Sequence, residues 1–280
     1  MTGSNPEKDE ALVLRSIRHG ETSRIVTLFT RRSGRLAVMA KGARRGKTGA
    51  SGGAFETPSL IEATMYIKGT RSVQNLGQVS ILNVYPQIKQ DLILNGYASA
   101  LLELIYLCFT DGEANDDAFG AALEILHNFE NGLGNPRVNL WRFQIRLLQA
   151  TGFAVDPVIC PVCSLEPAEV CVKNLFWLQA GAICCNNCRP QSGDVIPLSG
   201  ESVRLLRMLV ADSNPVQQRL KPSAMARREI SGVLERYMKF HIPNSSKTPA
   251  IRMLDRFENL TPATEKSVAD NQVTPSRRST

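Results

Sequence analysis

The stretch ALVLRSIRHGETSRIVTLFTRRSGRLAVMAK, residues 11–41, decides the fold. ALVLRSI (11–17), RIVTLFT (24–30) and RLAVMAK (35–41) are short alternating or β-branched runs, the composition of half-buried strands. His19-Gly20-Glu21 and Arg32-Ser33-Gly34 are turn signals between them. Working outward, SLIEATMYI (59–67) and VQNLGQVSILNV (73–84) repeat the pattern, parted by Lys68-Gly69-Thr70. Five short strands in about 75 residues predict a small β-barrel over 11–85. Residues 1–10 are polar and are expected to be disordered. Gly42–Ala54 is rich in Gly, Arg and Lys, and predicts a mobile loop between the third and fourth strands.

After Pro86 the periodicity becomes helical. Ile88, Leu92, Ala98, Leu101, Leu102, Ile105 and Leu107 predict one buried helix. A second helix is predicted near 116–131, with Phe119, Leu123, Leu126 and Phe129 on one stripe, and Asp116 and Asp117 at its positive N-terminal end. A third follows Pro136 and ends at Gly152. Two more are expected near 199–212 and 222–241, with Pro222 in a first turn. IRML (251–254) is expected against the body, and the polar stretch 256–280 is expected to be disordered. The helical domain thus has a first part, 86–157, and a second, 197–255, around an insert at 158–196. The fold class is α+β.

The insert carries Cys160-Pro-Val-Cys163 and Cys185-Asn-Asn-Cys188. Each pair presents two thiolates to one small cation, and two such pairs close a tetrahedral site. Val170–Leu178 reads as strands, so a zinc ribbon is predicted. Its ligands are Cys160, Cys163, Cys185 and Cys188, around one structural Zn²⁺. Four thiolates leave no open position for catalysis. Cys184 and Cys171 read as small apolar fillers or free thiols. With only His19, His127 and His241 scattered along the chain, a mixed Cys/His site is not supported.

Net charge is +7, unevenly spread. Residues 11–85 hold twelve Lys/Arg against Glu21, Glu56 and Glu62, whereas residues 86–158 hold four basic and nine acidic residues. The basic set is Arg15, Arg18, Arg24, Arg31, Arg32, Arg35, Lys41, Arg44, Arg45, Lys47, Lys68 and Arg71. A cationic strand-and-loop surface suits a polyanion bound by its phosphates with little sequence preference; the plainer alternative is a solvated basic face. Phe29 and Tyr66 lie in apolar runs and are expected in the core, so stacking platforms gain no support.

Other chemistries fail on pattern. Gly46-Lys47-Thr48 ends like a phosphate loop, but three residues rather than four separate its glycines, and no helix start follows. There is no GxSxG, HExxH or post-strand GxGxxG, so no enzyme is predicted. His127 reads as packed or surface, and Trp141 and Trp177 as core or interface. The longest apolar run, 100–109, is too short for a membrane span and holds Glu103, and the N-terminus lacks a secretory pattern. A cytoplasmic location is expected.

Taken in order, these segments resemble the bacterial recombination-mediator RecO family over about 11–255. ALVLRSIRHGETSRIVTLFT, SGRLAVMAKGARRGK, YPQIKQDLILNGYASALLELIY, LWRFQIRLLQATGF running into VICPVC, GAICCNNC and RYMKFHI near IRML carry the likeness. The resemblance implies an N-terminal OB-fold and a helical domain holding a zinc knuckle. It further implies binding of single- and double-stranded DNA, annealing of complementary strands, and work with RecR, often with RecF. The outcome in the family is loading of RecA onto DNA coated by single-strand-binding protein (SSB), whose acidic C-terminal tail the family contacts. By position, the four cysteines match the family's zinc ligands, and Arg35, Lys41, Arg44 and Arg45 its basic motif. An RNA-binding or transcription-associated factor with the same two modules is the alternative.

Overall fold

The computed structural model describes residues 6–42, 52–166, 174–185, 187–188, 190, 193–211, 220–242 and 248–260. Five strands, β1 (Pro6–His19), β2 (Ser23–Thr30), β3 (Gly34–Ala40), β4 (Leu60–Tyr66) and β5 (Gln74–Asn83), close a barrel in the order β1-β2-β3-β5-β4. All pairings are antiparallel except β3 with β5. This is an OB-like barrel.

Strand β1 begins at Pro6, so residues 6–10 are ordered, contrary to the expectation of disorder. Polar composition misled there because every charge finds a partner on the barrel. Lys8 pairs with Glu62 at 2.7 Å, and the buried Asp9 carboxylate accepts from the Arg32 backbone N–H at 2.9 Å. The first half of β1 pairs with β4 and the second half with β2, with a register shift between Val13 and Arg15.

Alternation along these strands serves two cores. Ala11, Val13, Val26, Leu28, Val38, Ile61 and Met65 fill the barrel with Phe55. Leu12, Leu14 and Phe29 point the other way, into the core of the helices. Phe29 stacks on Phe109 at 5.0 Å between ring centroids and tilts against Phe119 at 6.0 Å. Strands buried on both faces bind the barrel to the helical domain through apolar surface rather than a linker.

The helices are α1 (Pro86–Gln90), α2 (Leu92–Cys108), α3 (Asp116–Glu130), α4 (Pro136–Ala150), α5 (Gly200–Val210), α6 (Ala224–His241) and α7 (Pro249–Leu260). The single helix expected after Pro86 is broken at Asp91, which is extended and caps α2 by accepting from Ile93 N and Leu94 N. α4 is buried on nearly every side, with Trp141 in the core donating from Nε1 to Ser231 Oγ at 3.2 Å. α6 starts at Ala224 behind the Ser223 cap, so Pro222 precedes the helix instead of occupying its first turn. α7 carries helix through 256–260, the start of the expected disordered tail, and docks on α2 at Gly96. Among the described residues no helix is long and apolar enough to cross a membrane.

Between α4 and α5 lies a three-stranded antiparallel sheet, β6 (Asn174–Trp177), β7 (Ala182–Cys184) and β8 (Val195–Leu198), in the order β7-β6-β8. Gly181 sits at φ +61 in its hairpin, where a Cβ would stand 2.2 Å from the Tyr237 hydroxyl. Tyr237 and Phe176 meet in a T-shaped pair with ring centroids 5.5 Å apart, and His241 lies 3.3 Å from the Leu178 carbonyl oxygen. The sheet is thereby seated on α6.

Candidate metal centre and nucleic-acid interface

The Cys160–Cys163 turn is held by Cys160 N–H to Leu165 O at 2.9 Å and Ser164 N–H to Cys160 O at 2.9 Å. On the other side, Cys188 N–H donates to Cys185 O at 3.1 Å, and β7 delivers Cys185 directly after its last residue. These local bonds bring all four Sγ atoms within 4.8 Å of one another. The Cys163 and Cys185 sulfurs are 3.7 Å apart. Tetrahedral thiolate ligation of one ion requires about 3.8 Å between sulfurs, given metal–sulfur bonds of about 2.3 Å. The donor set therefore fits a single small metal ion.

Thiol acidity fits the same reading. Burial resists ionisation of Cys160, but backbone N–H groups of Cys185, Cys163 and Val162 outweigh it and draw the thiol down to about 6. Hydrogen bonding to the Cys185 and Cys163 sulfurs pushes Cys188 up to about 12. One thiolate forms readily and the last resists, as expected where negative charge accumulates without a cation. Cys184 is fully buried, and burial raises its thiol to about 11, which suits an apolar filler. Cys171 lies outside the described residues.

The basic set divides by partner. Arg31 donates from Nε to Glu10 at 3.0 Å and from Nη1 to Asp116 at 2.9 Å, with its guanidinium 4.9 Å over the Phe119 ring. Arg32 pairs with Asp9 and donates to the Lys8 carbonyl. Arg35 pairs with Asp111 at 2.7 Å and lies 4.7 Å over Tyr106. These three stand around the β2–β3 turn and are engaged within the molecule. Part of the charge split seen in the sequence is thus internal pairing between barrel and helices.

Arg24, Arg18 and Lys41 belong to the other ends of the same strands. Arg18 is directly opposite Arg24, which in turn faces Ala40, the neighbour of Lys41. Arg24 Nη1 donates to Ser16 Oγ at 3.1 Å. Arg15 projects at the register shift of β1 and is exposed. Arg15, Arg18, Arg24, Lys41, Lys68 and Arg71 make no ion pair among the described residues. Arg44, Arg45 and Lys47, with the rejected phosphate-loop segment, lie outside them.

Lys41, Lys68 and Arg71 converge on a shallow groove of about 380 Å³, lined also by Met39, Tyr66, Asn75 and Leu76. Buried Gln74 fixes its loop: Oε1 accepts from Lys68 N at 2.8 Å, and Nε2 donates to Lys68 O at 3.1 Å and Arg71 O at 2.7 Å. Tyr66 is 38 % exposed, so its expected place in the core is corrected. Its neighbour Met65 faces the barrel interior, and strand alternation turns Tyr66 outward. That parity was readable from Ile61, Ala63 and Met65. The role of Gln74 had no sequence signal.

Two family models cover the chain, one described as Recombination protein O N terminal at residues 4–85 and one as Recombination protein O C terminal at 89–249. The chain belongs to the RecO family. It is 30 % identical over 203 residues to a DNA repair protein RecO of Geobacter sulfurreducens, covering 72 % of this chain and 79 % of that one. It is 28 % identical over 263 residues to a DNA repair protein RecO of Exiguobacterium sibiricum, covering 91 % and 98 %. The RecO N-terminal match coincides with the barrel, and the C-terminal match spans α2 to α6 and all four clustered cysteines.

Proposed function

We propose that this chain is a DNA-repair and recombination mediator that binds single- and double-stranded DNA through its barrel and anneals complementary strands. The observation that carries this is the set of six barrel cations that make no ion pair among the described residues, on a chain whose two halves both match RecO. Phosphates of two strands approaching each other repel; Arg15, Arg18, Arg24, Lys41, Lys68 and Arg71 screen that repulsion and leave the bases free to pair. Arg44, Arg45 and Lys47, outside the described residues, are three further cations that the RecO resemblance and the sequence charge offer to phosphate. Arg31 and Arg35 tie the barrel to the helical domain instead, and Arg32 is engaged by Asp9 within the barrel. No bond is made or broken, so the protein acts without catalysis.

The four cysteines take one Zn²⁺ as a closed structural site that stiffens the sheet on α6. As in the family, RecR and, in some settings, RecF act with the chain, and the helical domain receives the acidic C-terminal tail of SSB. RecA loading on SSB-coated DNA is the outcome, in the cytoplasm at the nucleoid. The test is annealing of complementary DNA strands, bare and SSB-coated, without nucleotide. Annealing on both substrates is expected; binding without annealing overturns the mediator assignment, and absence of DNA binding at low salt overturns the barrel's role.

A further inference from the structure

We infer that Tyr66 is a stacking platform for one base of single-stranded DNA, and that it sets the preference of the barrel for single strands over duplex, provided the barrel binds DNA as proposed above. Three observations converge. The ring is exposed on a barrel whose neighbouring aromatics, Phe29 and Phe55, are fully buried. It lies in a groove with cations on Lys41, Lys68 and Arg71, spaced along one strand end and one fixed loop, while Met39 and Leu76 give an apolar floor. The ring is also backed by Gly77, where a Cβ would stand 3.0 Å from Tyr66 Cε2. Glycine at that position lets the ring rest against β5.

The chemistry selects the ligand. A volume of about 380 Å³ suits a base with its sugar, and cations at the rim suit the flanking phosphates. Every base has a π-face, so stacking on tyrosine tolerates any sequence. In duplex DNA those faces are already stacked on neighbours, whereas the phosphates remain open to Lys41 and Arg71. Tyr66 therefore contributes to single-strand binding alone, and the cations contribute to both forms.

The experiment measures affinity of the full chain for single-stranded and duplex oligonucleotides of equal length across a salt series, for the parent, Tyr66→Ala, Tyr66→Phe, Gly77→Ala and Arg71→Ala. Tyr66→Ala is expected to lose roughly tenfold or more of single-strand affinity with duplex affinity and salt slope unchanged, and Tyr66→Phe to retain binding. Gly77→Ala, which displaces the ring without removing it, is expected to fall between. Arg71→Ala should weaken both forms and flatten both slopes. A 2-aminopurine placed in the single strand should be quenched by the parent and not by Tyr66→Ala. Equal single-strand affinity and equal quenching in parent and Tyr66→Ala overturn the inference, and mean that the ring only covers Gly77. Equal losses on single strand and duplex overturn it as well. No DNA binding by the parent instead removes the barrel reading itself, and tighter binding of single-stranded RNA than DNA overturns the choice of ligand.

Discussion

Arg35 in the barrel and Asp111 in the α2–α3 loop are joined by side chain and backbone together. Arg35 Nε donates to Asp111 Oδ1 at 2.7 Å, the two residues form a parallel β-bridge, and Gly112 N–H reaches the Arg35 carbonyl at 2.9 Å. Arg35 Nη1 also donates to the Tyr106 carbonyl at 2.5 Å. A residue that the RecO resemblance matches to a basic motif thus spends its donors on the helical domain. Arg35→Ala is expected to destabilise the chain by about 1–2 kcal/mol, a charge-assisted bond discounted because Asp111 is well exposed. The salt slope of DNA binding should stay as in the parent. Urea unfolding and a salt titration of DNA affinity measure the two quantities. A flattened slope with unchanged stability would assign Arg35 to phosphate instead.

The same junction explains what local pattern could and could not convey. Alternation in 11–17, 24–30 and 35–41 contained the barrel, because a half-buried strand writes its two faces into its own residues. Pro6–Glu10 hid its strand, since Lys8 and Asp9 are satisfied by Glu62 and Arg32, far away in sequence. Arg31 and Arg35 looked free for the same reason: Asp116 and Asp111 lie 85 and 76 residues on. The cysteine site was legible because its geometry is built from two short turns whose spacing is local. The break at Asp91 had a readable signal in a capping aspartate.

Metal removal gives the second prediction. Exhaustive chelation, or Cys163→Ser, should release one ion per chain and lower the melting temperature, because the binding free energy of an ion held only by the folded four-cysteine site is lost. The site lies in the sheet on α6 and contributes nothing to the barrel core, so DNA affinity of the surviving fold should change little. Elemental analysis, thermal unfolding and a gel shift test the three parts. Stoichiometric metal with no change in melting temperature on its removal would end the bracing role.

Glu124 supplies a pH dependence. Burial opposes its ionisation, yet hydrogen bonds from Arg142 at 2.8 Å and Arg146 at 2.5 Å prevail and hold its carboxyl below the usual value. A carboxyl depressed in the folded state contributes stability that is complete above its unfolded value, near 4.3 for glutamate, and that is lost as pH falls through the depressed one. Glu124→Gln is therefore expected to cost about 2–3 kcal/mol at pH 7, because the buried Arg142 loses the charge of Glu124, a figure reduced for the partial exposure of Glu124. The difference from the parent should shrink as pH falls below that range. Urea unfolding of both proteins across pH 3–7 checks the sign, and a gap that widens on acidification would contradict it.

Gly34 tests how rigid the barrel–helix junction is. It has φ +70, and a Cβ there would meet the Glu113 backbone at 2.3 to 2.6 Å. Backbone cannot swing aside as a side chain does, and an L-residue in the left-handed region carries a further cost of roughly 1–2 kcal/mol. Gly34→Ala should therefore push the 110–114 loop away from β3, break the Gly112 to Arg35 bond and expose amides of both segments. Hydrogen exchange should rise at Arg35 to Met39 and at Asp111 to Ala114, while the sheet around the cysteines keeps its protection. Combined with Arg35→Ala, the loss of stability should be less than the sum of the two single losses, because both remove the same contact. Strict additivity would mean that Gly34 and Arg35 support the junction independently.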